Sequence, residues 1–83
     1  MSAPAAVTEM SWPSSTRLEA SVRHADGMLG RLAAVLITHP VSRFDYRVQG
    51  PTATLTVVVE DTGWHAQRVA ARLRRVVGVL DVT

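Results

Sequence analysis

The sequence predicts an α+β domain in which two helices cover one face of a four-stranded antiparallel sheet. Three observations carry that prediction. Hydrophobic residues recur with period two in three or four short segments and at helical spacing in two longer ones. Turn and breaker residues separate those segments in the order β-α-β-β-α-β. The chain has 83 residues, 47% of them hydrophobic, which is enough for one small domain and no more.

In the first strand Leu18, Ala20 and Val22 alternate with Arg17, Glu19, Ser21 and Arg23. His24-Ala25-Asp26-Gly27 breaks that alternation. Met28, Leu29, Leu32, Val35 and Leu36 then fall at helical spacing with Arg31 on the other side. Asp26 is the expected N-cap, and Pro40 stops the helix soon after His39.

A second strand runs from Val41 to Gln49, with Phe44, Tyr46 and Val48 on one face and Arg43, Asp45 and Arg47 on the other. Gly50-Pro51 is a turn signal. Beyond it Leu55, Val57 and Val59 point one way and Thr54, Thr56 and Val58 the other, so the two strands read as a hairpin. Asp61-Thr62-Gly63 opens the second helix, with Asp61 or Thr62 as its cap. Ala66, Val69, Ala70, Leu73, Val76 and Val77 form its apolar stripe, while Gln67, Arg68, Arg72 and Arg75 take the wet side. Gly78 suits a left-handed C-cap, and Val79 to Thr83 makes a short last strand.

Two striped helices and four alternating strands pack best as a ferredoxin-like βαββαβ sandwich with sheet order 4-1-3-2. The second and fourth strands are then edges. The second is long and aromatic, so Phe44, Tyr46 and Val48 mark an expected homodimer edge where two sheets join into one of eight strands. Residues 1–15, rich in Ala, Ser and Pro, read as a flexible lead-in to a domain of residues 16–83. Trp12 is the one residue of that lead-in able to dock.

Composition removes several functions. With no cysteine there is no disulfide, thiolate nucleophile or thiolate metal site. All nine basic residues are arginine, yet the net charge of +2 is too small to predict nucleic-acid binding. An RNA-recognition domain of this topology needs aromatics on its open sheet face. Here that face would show Arg17, Glu19, Ser21, Arg23, Thr54 and Thr56. His24, His39 and His65 fall on three elements without metal-ligand spacing, so neither metal nor cofactor is expected. No catalytic triad or acid pair assembles from the sequence. Without a secretory leader or an apolar run of membrane-spanning length, the expectation is a cytoplasmic chain that does not enter membranes.

The segment from Val22 to Leu32, reading VRHADGMLGRL, resembles the first strand, loop and helix of ACT domains. The runs ATLTVVVE at residues 53–60 and RVVGVLDV at residues 75–82 extend the likeness, which is most similar to the short regulatory (small) subunit of acetohydroxyacid synthase. The resemblance implies a non-catalytic regulator whose partner is the large catalytic subunit of that synthase. It implies an amino-acid effector site at His24, Asp26, Gly27, Met28 and Leu29. Arg68, Arg72 and Arg75 form a basic stripe on the second helix able to dock onto a catalytic partner, although a solvated helix face has the same pattern and is the more common cause of it.

Physically, Gly27 lets a ligand approach the backbone, and the first helix amides near Met28 and Leu29 can receive a carboxylate. The chain departs from the family pattern where His24 replaces Asn and Asp26 replaces Pro. An Asp26 carboxylate at the helix start competes with a ligand carboxylate by about 0.3–1 kcal/mol. Two other readings are an amino-acid-binding module unconnected with the synthase and a small ferredoxin-like enzyme with a buried pocket.

Overall fold

A computed structural model describes residues 15–61 and 63–83. Residues 1–14, which hold Trp12 and nearly all of the lead-in, and Thr62, one of the two candidate helix caps, lie outside the described residues. The elements are β1 (Thr16–Arg23), α1 (Met28–Leu36), β2 (Val41–Gln49), β3 (Thr52–Val59), α2 (Trp64–Arg75) and β4 (Val79–Val82). They form one antiparallel sheet of order β2-β3-β1-β4, the predicted 4-1-3-2 arrangement.

Strand alternation converts directly into burial. Leu18, Ala20 and Val22 of β1 and Ala53, Leu55, Val57 and Val59 of β3 are buried, and the residues between them are not. The two strands pair in register along their whole length, with Leu18 opposite Val57 and Ala20 opposite Leu55. Met28, Leu32 and Leu36 of α1 and Ala66, Val69, Ala70 and Leu73 of α2 close the other side. Met28 and Leu73 share one interior with the sheet. Each fully buried Leu, Val or Met contributes about 1.5–3 kcal/mol relative to exposure, which makes this layer the main source of stability.

The second strand behaves as a half-covered edge. Phe44, Tyr46 and Val48 stand opposite Val57, Leu55 and Ala53, so they occupy the core-facing side of the sheet. Only Tyr46 packs against the core, while Phe44 and Val48 remain exposed by 37% and 49%. The register shifts between Val41 and Arg43, an irregularity that twists the start of this edge.

Four local expectations need correction. Asp26 does not cap α1: Gly27 holds that position in a left-handed conformation, and no side chain caps the helix. Leu29 is half-exposed rather than in the stripe, because the turn at Gly27 rotates it off the core face. α2 stops at Arg75, since the extended backbone of Val76 ends the helical ladder. Val77 is therefore 82% exposed, and Gly78, although left-handed at φ 103°, belongs to the turn before β4.

Gly63, not Asp61, holds the cap position of α2, yet Asp61 supports the helix start from two residues upstream. Its carboxylate accepts the amides of Gly63 at 3.2 Å and His65 at 2.7 Å, supplying the first turn of α2 with acceptors.

Candidate functional site

The antiparallel course of the chain gathers the β1–α1 loop, the β2–β3 turn and the turn before β4 at one end of the molecule. The Arg23 amide donates to Gly78 O at 2.7 Å, and the His24 amide donates to Pro51 O at 2.9 Å. His24, Gly27, Pro51 and Gly78, distant in sequence, are thereby held together. Gly78 has φ 103°, a left-handed backbone that disfavours other residues, and a Cβ there would also press on the end of the Met28 side chain. Its bareness is what lets the first residue of α1 sink into the core.

Gly27 has the opposite surroundings. Its φ is 80°, a left-handed conformation that glycine adopts without strain, and no atom lies within 4 Å of where a Cβ would project. The bend is open to solvent. The Met28 amide donates to Ala25 O at 3.1 Å, so it is occupied rather than free as expected. The Arg31 amide reaches Gly27 O at 3.0 Å. Between them, the Leu29 and Gly30 amides have no backbone acceptor among the described residues. They form the donor pair at the positive end of α1.

His24 and Tyr46 stand beside this bend. His24 Nδ1 lies 2.8 Å from the Tyr46 hydroxyl, with ring centroids 5.7 Å apart. Tyr46 thus links the loop to the edge strand, with its ring against the core and its hydroxyl at the surface. The sequence pattern reads Tyr46 as core and interface filler on the dimer edge, not as part of this loop. No local signal joins residues 24 and 46, which meet only because β2 returns antiparallel to the same end. Asp26 is exposed near the helix start and makes no hydrogen bond among the described residues.

The expected docking stripe lies elsewhere, on α2. Arg68, Arg72 and Arg75 line a shallow surface groove with Ala71. The Arg68 guanidinium sits 4.7 Å over the ring of Trp64, which is 61% exposed and outside the core. α2 carries no acidic residue, and none of the three ion pairs found among the described residues involves it.

A second cleft crosses the open face of the sheet. There Arg17 pairs with Glu19 at 3.3 Å, and Arg47 with Asp45 at 3.3 Å. The Arg17, Glu19, Thr54 and Thr56 expected on this face are all present, without the aromatic platform of an RNA binder.

The three histidines are not all apart. His39, following α1, and His65, in the first turn of α2, meet with their Nδ1 atoms 3.1 Å apart. Among the described residues no group of three or more His, Cys, Asp or Glu could hold a metal ion. No helix there is long and apolar enough to cross a membrane.

With this geometry in view, the class of fold follows. The chain is similar in structure to the ACT domain from GTP pyrophosphokinase of Chlorobium tepidum, with a TM-score of 0.64. That likeness covers 83% of this chain and 82% of the other at 18% identity. The protein therefore has the ferredoxin-like fold of an ACT domain. No family model matches the chain, and no curated protein matches it.

Proposed function

We propose that this protein is a non-catalytic regulatory module that binds a small amino acid at the β1–α1 bend. The observation that carries the reading is the combination at Gly27. A left-handed glycine with open space above it adjoins two helix amides without backbone acceptors among the described residues, and the same loop carries His24, bonded to Tyr46. Helix amides suit a carboxylate, and the open bend admits the Cα of a ligand. The His24–Tyr46 pair offers polar groups for the rest of it. A Leu/Val/Met interior supports this over the enzyme reading, because no residue buried among the described ones is polar or charged.

The finer assignment follows the resemblance read from VRHADGMLGRL. On that reading, two copies pair along β2 through Phe44, Tyr46 and Val48. The dimer serves a catalytic large subunit of acetohydroxyacid synthase in branched-chain amino-acid biosynthesis, in the cytoplasm. The exposed Phe44 and Val48 on the β2 edge favour the pairing, and the arginines of α2, without ion pairs among the described residues, favour docking to an acidic surface. An amino-acid sensor unconnected with that synthase would use the same bend.

Thermal unfolding across the twenty amino acids tests the core of the proposal. A true effector at a hundredfold its Kd adds about 2.7 kcal/mol and raises the midpoint. A flat response to all twenty counts against the site. Co-expression with an acetohydroxyacid synthase large subunit separates the two finer readings, since only a synthase subunit co-purifies and changes that enzyme's activity.

A further inference from the structure

At the end of the domain opposite Gly27, the chain leaves α1, turns through His39 and Pro40, and enters the edge strand β2. His39 Nδ1 faces His65 Nδ1 at 3.1 Å across that corner, with the rings edge to face at 84°. The other nitrogen of His39, Nε2, is sealed from solvent and has no hydrogen-bond partner among the described residues. Two backbone bonds fix the corner, His39 N to Leu36 O at 3.0 Å and Val41 N to His39 O at 2.8 Å. The corner's backbone is thus tied to α1 and β2, and the ring contact adds a side-chain tie from it to α2.

Counting protons on the four ring nitrogens shows what this contact tolerates. In the neutral pair one N–H lies between the two Nδ1 atoms. If His39 carries it, His39 Nε2 is a bare lone pair, and the second N–H sits on His65 Nε2. The opposite tautomer puts a buried N–H on His39 Nε2 with nothing to accept it, which is the costlier arrangement. Adding one proton from solvent gives three N–H groups: one in the contact and one on each Nε2. The singly charged pair thus always buries an unaccepted N–H at His39. A second proton places two N–H groups nose to nose and breaks the contact. The same count disfavours a metal bridging the two Nδ1 atoms, because ligating histidines donate their other nitrogen to an acceptor.

We propose that His39 and His65 form an acid-sensitive latch that ties the α1–β2 corner to the first turn of α2 and releases it in mildly acidic solution.

The surrounding charges reinforce this. Arg68 and Arg72 of α2 repel added positive charge, and burial, His65, Arg72 and Arg68, in that order, hold His39 below the ordinary histidine pKa. On the other side, the Asp61 carboxylate is engaged with the Gly63 and His65 amides, and the Glu60 carboxylate takes the Ser42 hydroxyl. Because the folded pKa lies below the unfolded value of about 6.5, the latch contributes fully above that pH and its contribution falls as acid is added. This device lies at the far end from the effector bend, so it stands or falls independently of the proposed ligand.

The test is the folding equilibrium constant between pH 7.5 and pH 5, from urea unfolding of the full chain. A histidine held fully neutral in the folded state lowers that constant by about 30-fold at most across this range, and a latch that opens within it by less. His39→Asn with His65→Gln should remove the drop, whereas His24→Gln, at the other end, should retain it. An equal drop in the double variant overturns the latch. Nitrogen-15 spectra of the histidine rings give a readout that needs no variant. The latch predicts His39 neutral at pH 6 with its proton on Nδ1, and a fully protonated His39 in folded protein at that pH contradicts it.

Discussion

Gly27 and Gly78 are both left-handed, but their environments make opposite demands on a side chain. At Gly78 a methyl group meets the end of the Met28 side chain, so Gly78→Ala combines backbone strain with crowding of that side chain. The expected loss is about 1–3 kcal/mol by urea unfolding. At Gly27 the space is open, and Gly27→Ala should cost about 1–2 kcal/mol of left-handed strain alone. Tyr46→Phe separates site from scaffold. Its hydroxyl contacts His24 at the surface, so stability should change by about 0.5–1.5 kcal/mol at most. The ligand-induced rise in melting midpoint should fall with it. A variant that lost stability heavily while keeping the full ligand response would place Tyr46 in the core alone. The residues of the bend were legible in the sequence because they are contiguous. Tyr46 and the His39–His65 contact were not, because antiparallel return brings together positions 22 and 26 residues apart.

At the scale of elements, alternation is informative where one face is buried and the other is not. That condition holds for β1 and β3, and their inward residues match the pattern residue by residue. The end of α2 was misread for a related reason. Val76 and Val77 continue the apolar run, but Val76 turns extended and packs against the core while Val77 points outward. Hydrophobicity alone does not distinguish a helix's last turn from the strand-bound turn that follows. The start of α2 depends on Asp61, whose carboxylate serves two amides. Asp61→Ala should destabilise the fold by about 1 kcal/mol, and hydrogen exchange at the His65 amide should accelerate. Unchanged exchange there would remove Asp61 from the helix start.

For the whole molecule, the free edge of β2 and the open bend at Gly27 are connected through Tyr46, which belongs to both. If two copies pair along β2, sedimentation gives twice the 9.0 kDa chain mass. Val48→Lys should then shift the population toward monomer, while changing the stability of the single chain by about 0.5 kcal/mol or less, since Val48 is half-exposed. A wild-type chain that stays monomeric at high concentration would remove the edge from the account.

The binding claim itself is tested most directly by amide chemical shifts during titration with each branched-chain amino acid. The account predicts saturable shifts at Leu29 and Gly30, accompanied by His24 and Tyr46, with the α2 face unmoved. Saturable shifts confined to the Arg68–Arg75 groove, or none at any residue, would contradict it.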